Sequence, residues 1–132
     1  MADIQTTTEN ESGFGANNIV GDYDLTIDAT EKTGPSPNQV LVADYASCFT
    51  FAFRAGANRS DYDDLGKIQT DAEANLDDDD DLTDISFTMH VEAALTDDEK
   101  ADLLAKAEDI CHVHAAVREG LHADVTVESD AF

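Results

Sequence analysis

Basic residues are scarce: 7 Lys plus Arg stand against 30 Asp plus Glu in 132 residues, a formal charge of -23. A surface so short of cations has little with which to neutralise a phosphate backbone, and an anionic membrane surface repels it. Nucleic-acid and membrane-surface partners are therefore disfavoured. No apolar run approaches the length needed to span a bilayer, and Met1 to Gly13 has neither the basic start nor the apolar stretch of a signal peptide. A cytoplasmic location is expected. Only two cysteines occur, Cys48 and Cys111. In a reducing compartment such a pair is more often catalytic, redox-sensing or metal-binding than a permanent staple. Internal repeats and domain-scale linkers are also missing, so one domain is expected over 1–132, with 1–12 a flexible or loosely held N-terminus.

What is present argues for a folded chain. Apolar residues make up 42% and recur with clear periodicity outside the acidic runs, which separates this composition from that of a disordered polyanion. Asp outnumbers Glu, and Lys occurs only at Lys32, Lys67, Lys100 and Lys106. This resembles the surface of a protein from a salt-saturated cytoplasm. At molar salt the Debye length falls to roughly 3 Å, so carboxylates are screened from one another and chiefly keep the protein hydrated.

The alternation Tyr23, Leu25, Ile27, Ala29 against Asp22, Asp24, Thr26, Asp28 predicts a strand with one buried face, with a partner around Glu11 to Ile19. After Gly34-Pro35-Ser36-Pro37, apolar residues at helical spacing predict a largely buried central helix from Asn38 to about Arg54. A polar loop with Gly56, Asn58 and Ser60 leads to two alternating runs, Ile68 to Leu76 and Ile85 to Leu95, joined by Asp77 to Asp81. That pattern is an antiparallel hairpin. Its five aspartates lack the spaced ligands and glycine of an EF-hand, which favours a solvated tip over a cation loop. Thr96-Asp97-Asp98-Glu99 reads as a capping box opening a second helix, which the pattern carries through Cys111 and Arg118 to a stop at Gly120. Leu121, Ala123, Val125 and Val127 then alternate as a last strand. Helices segregated onto a curved, mostly antiparallel sheet make an α+β domain.

Both cysteines fall on predicted helices with apolar neighbours, and two packed helices can bring such residues within disulfide range. They can equally be small buried hydrophobes. Cys111-His112-Val113-His114 followed by His122 contains zinc-type ligands, but its spacing matches no standard zinc site.

The segment Pro37-Asn38-Gln39-Val40-Leu41-Val42-Ala43-Asp44-Tyr45-Ala46-Ser47-Cys48-Phe49 resembles the first-cysteine segment of the OsmC and organic-hydroperoxide-resistance family. The block Ala107 to His114 resembles that family's second-cysteine segment, and the likeness runs from about Thr33 to Glu128. The resemblance implies an OsmC-like fold with two long central helices and an intertwined homodimer. It further implies a thiol peroxidase for organic hydroperoxides, without metal or organic cofactor. Cys48 would form a sulfenic acid, Cys111 would resolve it as a disulfide, and an external dithiol would reduce that disulfide. Phe49, Phe51 and Phe53 would wall the substrate pocket. The alternatives are an OsmC-like redox sensor or small-molecule binding protein with little turnover, and a Cys/His zinc-binding protein.

Two departures stand out. Asn38 occupies the family's glutamate position, and no arginine precedes Arg54, so the family's activating arginine and carboxylate pair is missing. A free cysteine ionises near 8.5 and needs a nearby cation or donor to become a good nucleophile at neutral pH. The candidates for that help are Arg54, Arg59, His112 and His114. Arg118 is the remaining arginine.

Overall fold

The computed structural model describes residues 2–132, which form two compact units, one up to Leu41 and the other from Val42 onward. The first unit holds β1 (Thr6–Glu9), β2 (Gly15–Val20) and β3 (Tyr23–Asp28) in a three-stranded antiparallel sheet, order β1-β2-β3. The segment expected to be loosely held thus contributes an edge strand, all four of whose residues are exposed. Between β2 and β3, Gly21 supplies the positive φ that a two-residue hairpin turn demands at its first position.

The strand predicted from Tyr23 to Ala29 is present, but its apolar face is not buried. Tyr23 is 77% and Leu25 40% exposed, and the one buried residue of β3 is the carboxylate Asp28. Alternation marks the two faces of a strand, whereas burial requires a second layer to cover one of them. Asp28 is buried because it organises the following loop. Its Oδ1 accepts from the Thr30 hydroxyl and amide, and its Oδ2 from those of Thr33, all within 3.1 Å. These donors, led by the Thr30 hydroxyl, hold the carboxyl well below the usual carboxylate range.

Ser36 and Gln39 then start α1 (Pro37–Asn58) with reciprocal bonds. The Gln39 amide donates to Ser36 Oγ at 3.2 Å, and the Ser36 amide donates to Gln39 Oε1 at 2.8 Å. Pro37 occupies the first helical position, where its missing N–H is not needed. The helix runs past the predicted end at Arg54, taking in Gly56 and Asn58, because Ala52, Phe53, Gly56 and Ala57 continue its buried stripe.

The second unit carries the core. β4 (Ile68–Leu76) and β5 (Leu82–Val91) form the predicted hairpin, and Asp77 closes its tip by accepting from the Asp79 and Asp81 amides. Along β5, Ile85, Phe87, Met89 and Val91 alternate inward at 2% exposure or less. They pack with Tyr45, Phe49 and Phe53 of α1, and with Leu103 and Ala107 of α2 (Asp97–Ile110). The Thr96 capping box is formed as predicted, with Glu99 as its reciprocal member. α1 and α2 meet closely at Gly56, where a Cβ would stand 3.0 Å from that of Lys106.

One expectation is corrected here. The second helix does not run through Cys111 to Gly120: α2 ends at Ile110, Cys111 adopts an extended conformation, and α3 (His112–Ala116) starts afresh, followed by a 3-10 turn at Glu119–Leu121. The last strand, β6 (Asp124–Glu128), pairs with β5 in parallel, giving the order β4-β5-β6. The chain crosses over through α2 and α3 between β5 and β6, and a connection of that length is what a parallel pair requires. Among the described residues, no helix is long and apolar enough to cross a membrane.

Candidate functional site

Cys48 lies on α1 beyond its midpoint, half-buried, one turn after the fully buried Tyr45. Cys111 sits at the break between α2 and α3 and is 1% exposed. Both are free thiols, Cys111 lies in the core cluster against which Cys48 packs, and the Cys48 side chain is near enough to perturb the Cys111 thiol. The fold therefore brings the two cysteines into the same neighbourhood.

The break at Cys111 has a local cause. The residue serves as the last cap of α2, its amide donating to the Ala107 carbonyl at 2.8 Å, and as the first cap of α3. In the second role its sulfur accepts the His114 amide at 3.3 Å. Burial is the largest influence on this thiol and pushes it up to about 11, the Cys48 side chain adding to the rise. The amides of His114 and Val113 oppose that rise. The pair is thus asymmetric: Cys48 is half-buried, and Cys111 is buried and held as a thiol.

The aromatic surroundings come from three elements. Tyr45 packs edge-on against Phe87 at 4.9 Å between centroids, and Phe49 lies 5.7 Å from Phe87 and 6.2 Å from the His114 ring. The Tyr45 hydroxyl accepts the Ala123 amide at 3.0 Å and is hydrogen-bonded to His114 Nδ1. The His114 ring stacks on His122 at 3.9 Å. Tyr45 was legible only as part of the apolar stripe of α1, since nothing in a single sequence marks the hydroxyl of a core tyrosine as bonded to a distant histidine. The one available signal is that it precedes Cys48 by one helical turn, on a neighbouring face.

The remaining sequence candidates lie in several places. Phe49 and Phe53 are fully buried in the core, while Phe51 is 70% exposed. The Arg54 guanidinium donates to the Gly66 carbonyl at 2.6 Å and pairs with Asp64 at 3.7 Å. Arg118 donates to the Leu82 carbonyl at 2.9 Å. Arg59 is exposed just past the end of α1, His112 is exposed at the start of α3, and Asn38 is in the first turn of α1. Among the described residues, no group of three or more His, Cys, Asp or Glu side chains is placed to hold a metal ion. The zinc alternative therefore lacks a ligand set among them.

Comparison with known proteins agrees with this architecture. Residues 29–126 match the model of the OsmC-like protein family. An uncharacterized protein of Haloferax volcanii is 60% identical over 132 residues, covering 100% of both chains, which fits the salt-adapted composition. A hypothetical protein from Aquifex aeolicus superposes with a TM-score of 0.82 at 13% identity, over 98% of this chain and 97% of that one. An organic hydroperoxide resistance protein, OsmC, from Legionella pneumophila gives 0.74 at 21% identity over 97% and 98%. The organic hydroperoxide resistance protein OhrB of Bacillus subtilis gives 0.68 at 21% identity over the same shares. The chain belongs to the OsmC-like protein family.

Proposed function

We propose that the protein is a cytoplasmic, homodimeric thiol peroxidase that reduces organic hydroperoxides. The observation that carries this reading is the asymmetric pair of neighbouring free thiols, half-buried Cys48 and buried Cys111. The Cys48 thiolate attacks the outer peroxide oxygen, the O–O bond breaks, and the departing alkoxide takes a proton to leave as the alcohol. Cys48 is now a sulfenic acid. The Cys111 sulfur then attacks it, the S–O bond breaks, the oxygen leaves as water with the Cys111 proton, and a disulfide remains. An external dithiol supplies the two electrons that restore both thiols.

Exposure supports this division of roles, because the attacking group must meet substrate and the resolving group need only meet Cys48. The large apolar side chains left open, Phe51 at 70%, Phe14 at 74% and Tyr23 at 77%, are surface that a second copy would cover. Light scattering in molar salt should accordingly give twice the mass of the chain, and a monomer would remove the homodimer.

The test of the function is stopped-flow consumption of an organic hydroperoxide in molar salt with a dithiol reductant. The protein should react at least about a hundredfold faster than free cysteine at the same pH, the margin expected of an activated and positioned thiol. A rate no greater than that of free cysteine removes the peroxidase reading. It leaves the sensor or binding alternative, which the engagement of Arg54 and Arg118 by backbone carbonyls favours.

A further inference from the structure

The Tyr45–His114 hydrogen bond plays no part in the two steps above, yet it is anchored beside the second cysteine. Tyr45 is fully buried, and its oxygen already accepts the Ala123 amide at 3.0 Å. The phenolic proton is then directed to its other partner, His114 Nδ1. Donation in that direction needs His114 as a neutral ring with its proton on Nε2. Its surroundings favour the neutral ring. Burial and the stacked ring of His122 keep it below the ordinary imidazole range, while Glu108 pulls the other way. Burial likewise pushes the Tyr45 phenol up, with Cys111 and Glu108 adding to the rise and the Ala123 amide opposing it, so Tyr45 keeps its proton and has it to donate.

The residue whose ring is pinned in this way is the one whose amide donates to Cys111 Sγ at 3.3 Å. α3 has only five residues, none of them fully buried, and Val113 is the one apolar side chain of its first turn that packs against the core. The geometry points to Tyr45 and His114 as positioning residues for the resolving step: their hydrogen bond keeps the first-turn amide of α3 aimed at the Cys111 sulfur as it attacks Cys48. This rests on the assignment of Cys111 as the resolving thiol.

Dipyridyl disulfide tests the inference without any peroxide. The Cys48 thiolate attacks one sulfur of the probe, releasing pyridine thione and leaving a mixed disulfide. The Cys111 sulfur then attacks the Cys48 sulfur, forming the protein disulfide and releasing a second thione. Stopped-flow absorbance resolves the two phases. Tyr45→Phe and His114→Ala should leave the first phase unchanged and slow the second about tenfold, the effect of one misplaced hydrogen bond at a developing charge. His114→Asn, whose side-chain oxygen accepts from Tyr45 where Nδ1 does, should bring the second phase back to within about twofold of wild type. A second phase at the wild-type rate in His114→Ala, or slowed equally in His114→Asn, overturns the inference. Those two variants decide the question even where Tyr45→Phe fails to fold. A wild-type protein that shows both phases but consumes no hydroperoxide loses the peroxidase reading and keeps this one. Absence of the second phase in wild type removes Cys111 as the resolving thiol, and the inference with it.

Discussion

Cys48→Ser protein should consume organic hydroperoxide no faster than a cysteine-free control, a loss of at least about 10³-fold. Serine keeps the size of the side chain but is not ionised at neutral pH and cannot carry the oxygen as a sulfenic acid. Cys111→Ser should behave differently. Its Cys48 is retained, so one equivalent of hydroperoxide should disappear at close to the wild-type rate. Turnover then stops and sulfenic acid accumulates, because no second sulfur can expel the oxygen. Trapping with a sulfenic-acid reagent reads the difference. Equal residual activity in the two variants would show that the cysteines do not act in sequence.

The resolving step also has a direction in pH. Burial and Cys48 push the Cys111 thiol up to about 11, so below that value its thiolate fraction grows about tenfold per pH unit. Disulfide formation should therefore accelerate with rising pH across the neutral range. A flat profile would mean that a group other than the Cys111 thiol limits this step.

Removing salt should produce the largest change in stability. A charge of -23 repels itself over a Debye length of about 10 Å at 0.1 M salt, and over roughly 3 Å at 1 M. The unfolding midpoint should rise by about 10 °C or more between those conditions, which for a domain of this size corresponds to roughly 2 to 3 kcal/mol. Circular dichroism melts in potassium chloride measure it. Activity measured at low salt would then report loss of folded protein together with any loss of chemistry. A midpoint independent of salt would show that the carboxylates are already balanced within the fold.

Local chemistry was readable wherever a few consecutive residues carry the whole signal. The β4–β5 hairpin follows from alternation on either side of Asp77 to Asp81, and the start of α2 follows from Thr96 and Glu99 bonding to each other's backbone. The break at Cys111 was not readable, since apolar spacing at Ala107, Ile110 and Cys111 continues a helical pattern that the chain abandons in order to place the sulfur as a cap. The parallel pairing of β6 was equally hidden. Alternation of Val125 and Val127 identifies a strand and is the same for either direction.

The amino-acid sequence by itself determined the salt-adapted surface, the α+β class, the family likeness and the identity of the two thiols, because composition, short-range periodicity and spaced motifs lie along the chain. Only the tertiary structure decided that Cys111 lies near Cys48 at a helix break, that it is the buried member of the pair, and that Tyr45 reaches His114. Those facts depend on groups far apart in the chain meeting in a shared interior, where desolvation and a few directed hydrogen bonds determine what each sulfur can do.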